Sequence, residues 1–223
     1  KVLEDTIGEY IQAKTGNSEY TFKDLYEKRG KKLVTVGTDV DKMQPMYFSY
    51  QTYPDLPLKV AIRISASLPF FYQPKILKEI DNNITTTRYF IDGGVLDNYP
   101  IHVYDTDKLG DMYHILTGDK EGVIEYNKKT VGVRIMNKQY ESLHNNHYEL
   151  HNTPITGFQS YVTAFLNVYL YSQDKFQMMD GYWERTVSVN TEYLPITQFS
   201  ITSTQKECLI TDGIVGALKY FTT

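Results

Sequence analysis

The sequence predicts an α/β fold, a sandwich of helices around a largely parallel sheet, and three observations carry that expectation. Runs of β-prone residues alternate with helical runs over most of the 223 residues. Hydrophobic residues make up 41% and charged residues 22%, enough apolar content for a core and too much for a disordered chain. No internal repeat, low-complexity tract or Pro/Gly/Ser-rich linker interrupts the chain, so residues 1–223 read as one domain or one piece of a domain.

Each element has its own signal. Leu3, Ile7, Tyr10, Ile11 and Lys14 recur at helical spacing over residues 1–14. Thr21 with Asp24 outlines a capped helix start, and Gly30 is suited to the left-handed position that ends it. Residues 32–40, rich in Val and Thr, and residues 46–49 read as strands. Asp55-Leu56-Pro57 opens a helix to about Ala66, with Val60, Ala61 and Ile64 on one face and Pro69 as its stop. Residues 85–91 form another β-prone run, as do 131–136. Ile155, Phe158, Val162, Phe165, Val168 and Tyr169 predict a long amphipathic helix over 155–179. Short strands are expected at 183–189 and 198–201, and Thr204 with Glu207 predicts a capping box for a last helix bearing Leu209, Ile214, Leu218 and Phe221.

Charge and cysteine content narrow the function classes. Lys and Arg total 23 against 27 Asp and Glu, a net charge of −4, which disfavours nucleic-acid binding. Cys208 stands alone, so an intramolecular disulfide and Cys-rich zinc modules are excluded, and a reducing, cytoplasmic location is favoured. No run of 18 apolar residues exists, so no transmembrane helix is expected. Tyr is abundant at 20 residues, either for half-buried interfaces or from compositional bias. The chain opens inside a helical pattern with no Met, as a fragment, a processed product or a renumbered chain would.

Asp92 carries the chemistry. A β-run precedes it, and Gly93 and Gly94 follow. Two glycines give the backbone freedom to turn with positive φ and clear side-chain bulk from beside the carboxylate. That would place Asp92 at the C-terminal end of a strand, where open α/β sheets keep their ligand crevice. On spacing alone, an ordinary Asp-Gly turn is the stronger reading.

The surroundings alter that balance. TFKDLYEKRGKKLVTVGTDV, MYFSYQTYPDLPLKVAIRISASLPFFYQP and RYFIDGGVLDNYPI follow one another in this order. Together they resemble the C-terminal half of the patatin-like phospholipase fold. YWERTVSVNTEYLPITQFSITSTQKECLITDG resembles that family's late strand and terminal helix, whereas residues 120–180 match loosely. The resemblance implies a three-layer α/β sandwich with a mostly parallel central sheet. It also implies a lipid acyl hydrolase with a Ser–Asp dyad, in which the residue matching the catalytic Asp is Asp92. Gly93, Gly94, Asn98 and Pro100 match the supporting positions of Asp-Gly-Gly-x-x-x-Asn-x-Pro. No cofactor or metal is implied. The implied substrate is a glycerolipid or phospholipid at a membrane or micelle surface, with peripheral membrane contact.

One departure matters. The sequence has no Gly-x-Ser-x-Gly; the nearest string, Gly16-Asn17-Ser18-Glu19-Tyr20, lacks the closing glycine. No Gly-x-Gly-x-x-Gly is present either. Acyl transfer needs both a nucleophile and oxyanion donors. The family places both upstream of the segment matching Lys1, so a segment carrying the Ser is expected in cis or as a separate chain. Residues 1–223 alone are expected to be inactive. The alternative is a binding or regulatory module that has lost its nucleophile.

Other candidates weigh less. Ser65 and Ser67 are expected to cap a helix end, not to attack a substrate. His144, His147 and His151, near Glu141 and Glu149, could face one way on a helix and bind zinc, but the polar, Asn-rich setting favours a solvated loop. Leu68-Pro69-Phe70-Phe71-Tyr72 is apolar enough to touch lipid, with a buried core run the preferred reading. Asp39 and Asp41 read as surface turn residues.

Overall fold

The computed structural model describes residues 2–81, 84–105, 126–136, 155–158, 182–191 and 200–222, with single positions between 160 and 198. They fall into two compact units: Lys1–Val103 with Lys108–Gly122, and Tyr104–Asp107 with Val123–Thr223.

In the first unit, helices α1 (Val2–Thr15) and α2 (Phe22–Arg29) precede strands β1 (Val34–Asp39) and β2 (Gln44–Ser49). Helix α3 (Leu58–Ser65) and strands β3 (Lys75–Asp81) and β4 (Ile84–Asp92) follow. Capping fixes the ends of α2. The Thr21 hydroxyl accepts the Asp24 N–H and the Asp24 carboxylate accepts the Thr21 N–H, both at 3.1 Å. Gly30 closes the helix at φ 61°, its N–H donating to the Tyr26 carbonyl.

The sheet runs β2-β1-β4-β3, and every neighbouring pair is antiparallel. The mixed α/β character holds, but the mostly parallel sheet does not appear among the described residues. The reason is local. β1 reaches β2, and β3 reaches β4, through connections far too short for the crossover that a parallel pair requires. Strand β3, with its charged run, was not foreseen.

The core lies between this sheet and α3. Leu58, Ala61 and Ile64 of α3 are buried with Phe48, Phe90, Met46, Tyr20 and Phe22, while Val60 packs at the edge. Gly37 on β1 makes the approach possible. A Cβ there would stand 2.5 Å from Ile64 and 2.9 Å from Phe48.

A charged cluster is built into the same sheet. Asp39 is fully buried and bonded to the Arg88 guanidinium, correcting its expected place at the surface. Arg88 also donates to both Glu79 oxygens, at 2.7 and 2.9 Å, and the Tyr53 hydroxyl donates to Glu79 at 2.7 Å. Burial pushes the Asp39 carboxyl up, but the Arg88 bond and the N–H groups of Lys42 and Asp41 outweigh it, leaving the pKa below the ordinary value. Burial and the Glu79 bond push the Tyr53 phenol up to about 12.

The second unit contains β5 (Gly132–Met136) and β6 (Thr186–Asn190), paired in parallel, and helix α4 (Ser203–Thr222). α4 lies close on β6, where a Cβ on Gly216 would come within 2.3 Å of the Ser188 carbonyl oxygen. Buried Asp105 binds the Arg185 guanidinium, which also lies over the Tyr126 and Tyr182 rings at 5.0 and 5.5 Å. Three expectations change here. Trp183–Arg185 is a 3₁₀ turn and the strand begins at Thr186. The described positions 198, 200 and 201 are not strand. The capping box of α4 is Thr202 with Gln205, two residues earlier than Thr204 with Glu207, because α4 already starts at Ser203. Phe158, Tyr161, Phe165 and Val168 are helical, but most of 155–179 lies outside the described residues.

Candidate functional site

Asp92 is the last residue of β4, followed at once by a 3₁₀ turn, Gly93–Val95. Three bonds hold it. Its N–H donates to the Ser67 carbonyl at 3.1 Å, and its carbonyl accepts the buried Thr38 hydroxyl at 2.9 Å. Its carboxylate Oδ1 accepts the Gly94 N–H at 2.8 Å. Among the described residues, nothing donates to Oδ2. The backbone is clamped from β1 and from the loop after α3, while one carboxylate oxygen stays open.

The electrostatics follow. Burial pushes the Asp92 carboxyl above the ordinary carboxylate value, and the single Gly94 N–H opposes it without cancelling it. A carboxylate with a raised pKa is a stronger proton acceptor than a solvated one.

The two glycines are required for room, not for positive φ. Neither has φ in the left-handed range, contrary to the reading of a sharp positive-φ turn. A Cβ on Gly93 would lie 2.4 Å from the Val36 carbonyl oxygen, so the turn passes directly against β1. A Cβ on Gly94 would lie 2.8 Å from Asn98 Oδ1 and 3.1 Å from Asp92 Oδ1. Gly94 thus keeps the space shared by the Asp92 and Asn98 side chains. Pro100 starts the turn that follows, its carbonyl accepting the Val103 N–H at 3.2 Å.

Sequence reasoning missed a polar group beside this turn. Asp97 is buried, and its N–H donates to the Gly93 carbonyl at 2.8 Å. The Tyr47 hydroxyl donates to Asp97 Oδ2 at 2.6 Å and stands 3.2 Å from His102 Nε2. Tyr47 lies 50 residues from Asp97, and no local pattern announces such a pair.

Ser67 is fully buried; its hydroxyl donates to the Arg63 carbonyl at 2.7 Å and accepts from the Arg63 guanidinium. It terminates α3 and is not presented as a nucleophile. Phe70, by contrast, is 69% exposed and Phe71 37%, so the run from Leu68 to Tyr72 is not the core segment expected. The chain bends outward there, with Phe70 at φ 69°. His144, His147 and His151 lie outside the described residues, and no described helix is long and apolar enough to cross a membrane.

Residues 1–105, which contain all of this geometry, match the family model of the patatin-like phospholipases. A probable lipid hydrolase of Invertebrate iridescent virus 6 is 34% identical over 83 residues, 37% of this chain and 26% of the relative. An uncharacterized protein of Acanthamoeba polyphaga mimivirus is 26% identical over 95% of this chain and 60% of its own length. One from Bacillus subtilis is 33% identical over 32% of this chain and 24% of its own. The chain therefore spans less than two thirds of each relative. The solved structure of VipD from Legionella pneumophila aligns over 92% of this chain and 35% of its own, at 15% identity and a TM-score of 0.47. The matching family is described as one of phospholipases, and the viral relative as a probable lipid hydrolase.

Proposed function

We propose that the complete protein hydrolyses acyl esters of glycerolipids or phospholipids, with Asp92 as the general base of a Ser–Asp dyad. The observation that carries this is the geometry of Asp92: backbone fixed on two sides, pKa raised by burial, one oxygen open. Asp92 Oδ2 takes the proton of a Ser hydroxyl as its oxygen bonds to the ester carbonyl carbon. The proton passes to the departing alkoxide, leaving an acyl-Ser that water hydrolyses by the same route. We place the Ser and its oxyanion donors outside residues 1–223, because no nucleophile elbow occurs within them. In this reading the chain is the C-terminal portion of one patatin-like domain, and the antiparallel strands adjoin a mostly parallel central sheet in a three-layer sandwich. No cofactor takes part, and the enzyme acts at a lipid–water surface.

Asp92→Asn in the complete protein tests this. Turnover should fall by about 10³–10⁴-fold with the fold retained, as when one member of a coupled catalytic group is lost. Acyl release at the wild-type rate would sink the assignment. The missing elbow favours a second reading, an inactive lipid-binding module. Labelling of the complete protein with a fluorophosphonate separates the two: the enzyme carries a reactive Ser, the module none.

A further inference from the structure

We propose that Tyr47 and Asp97 are positioning residues that hold the Asp-Gly-Gly turn in one place, so that the Asp92 carboxylate meets its reaction partner in a fixed geometry. The inference rests on the reading of Asp92 as the base of a Ser–Asp dyad and adds the device that keeps this base aimed.

The turn needs such a device. Gly93–Val95 is a single 3₁₀ turn, closed where the Leu96 and Asp97 N–H groups reach the Gly93 carbonyl at 3.1 and 2.8 Å. One short turn of this kind has little stability of its own, and its two glycines give up more conformational freedom on ordering than other residues would. Yet the Gly94 N–H within it is the donor to Asp92 Oδ1. Any slackening of the turn therefore moves the carboxylate as well.

One place on the sheet fastens it from two sides. Val36 of β1 is the floor, since the turn passes directly against the Val36 carbonyl at Gly93. Tyr47 of β2 is the residue paired with Val36. Its buried phenol donates at 2.6 Å to Oδ2 of Asp97, just past the end of the turn. His102, on the 3₁₀ turn Ile101–Tyr104, completes the arrangement: Nε2 lies 3.2 Å from the Tyr47 hydroxyl and 3.6 Å from Asp97 Oδ2. The phenol has one proton and gives it to Asp97, so in the His102 contact Nε2–H donates to the phenolic oxygen. Tyr47 is thereby oriented by His102 as it orients Asp97. An apolar residue at 97 would fill a buried position at a lower cost in desolvation. A bond of fixed length and direction does what apolar packing does not: it sets one position for the turn.

The experiment measures kcat and KM of the complete protein on a water-soluble nitrophenyl ester. Tyr47→Phe should lower kcat by about 10- to 100-fold, as a small misplacement of a reacting group does, with KM unchanged. Tyr53→Phe is the matched control, since it removes another phenol-to-carboxylate bond, to Glu79, from the same sheet. It should lower the Tm and leave kcat alone. Asp97→Asn keeps an acceptor for Tyr47 and should retain most of the turnover that Asp97→Leu loses. Tyr47→Phe and Asp97→Leu combined should lose no more than the worse of the two alone, as coupled partners do. Equal kcat in wild type and Tyr47→Phe would overturn the proposal. So would losses that multiply in the double variant, or a kcat fall in Tyr53→Phe as large as that in Tyr47→Phe. A rise in KM alone would also overturn it, making Tyr47 a contact of the substrate. Amide exchange separates this inference from the catalytic reading. Where the wild type releases no acyl group, faster exchange at Leu96 and Asp97 in Tyr47→Phe, with the bonded Gly30 amide of α2 unchanged, upholds the tether and removes the dyad. Unchanged exchange there removes both. Turnover that needs Asp92 but is indifferent to Tyr47 keeps the dyad and removes the tether.

Discussion

Two carboxylates end two paired strands of one sheet, and their surroundings could hardly differ more. Asp39 closes β1 and Asp92 closes β4, one at each end of the three-residue ladder joining those strands. Asp39 is saturated: one oxygen binds the Arg88 guanidinium and the other accepts the N–H groups of Asp41 and Lys42. Among the described residues, the Asp92 carboxylate receives a single N–H. The pKa of Asp39 is accordingly held below the ordinary value and that of Asp92 above it. Burial alone does not make a carboxylate reactive. A buried acid fully paired with donors is a structural part, whereas one left short of donors keeps the capacity to take up a proton.

The largest effect on stability should come from unbalancing the saturated end. Arg88→Met strands Asp39 and Glu79 without their cation, and breaking a buried pair in this way costs about 3–5 kcal/mol. Urea unfolding would read it; a loss below 1 kcal/mol would mean that the cluster contributes nothing of note. Next comes the crowding beside Asp92. Gly93→Ala drives a Cβ against the Val36 carbonyl and should destabilise by about 1–3 kcal/mol, with turnover falling as Asp92 shifts.

Acid titration sharpens the contrast, because the two signs are opposite. Asp39, with its depressed pKa, contributes stability above the ordinary carboxyl value of about 3.9, and that contribution disappears as pH falls through the lower folded value. Asp39→Asn should therefore be less stable than wild type at neutral pH, the gap closing in strong acid. Asp92, with its raised pKa, favours folding below about 3.9 and opposes it once pH rises through the folded value. Asp92→Asn should match or exceed wild-type stability at neutral pH and lose that advantage in acid. Melting temperatures of both variants across pH 3–7 would check this; a shared sign would end the comparison. The smallest effect belongs to Thr38→Val, which removes one bond to the Asp92 carbonyl and should cost about 1 kcal/mol in a thermal melt.

Local features were legible in the sequence because their causes are local. The capping box at Thr21 and Asp24 and the left-handed Gly30 lie within one helix and its ends. Asp92 stood out for the same reason, since a β-run and two glycines adjoin it. Strand direction was not legible. The alternation of element types suggested crossovers, yet β1–β2 and β3–β4 are hairpins, and β3, whose charges mask its periodicity, escaped notice. Partners distant in sequence were also out of reach. Asp39 finds Arg88 49 residues on, and a string of residues gives no sign that this aspartate is buried. The Leu68–Tyr72 run was misjudged because composition alone cannot separate an apolar segment turned inward from one turned outward.

The strand order β2-β1-β4-β3 carries a consequence for the time course of folding. Each outer pair is a hairpin that closes over a few residues and can form early. The inner seam between β1 and β4 must wait for a much longer loop to close, since Thr38 and Asp92 are 54 residues apart. Asp92 belongs to that seam. A chain with both hairpins formed but not yet joined would hold native-like strands and no site at all. In pulse-labelling exchange, the Val40 amide, which donates to the Tyr89 carbonyl of β4 at 3.0 Å, is expected to gain protection after the amides within the two hairpins, so the base of the proposed dyad would come into being only when the sheet becomes whole.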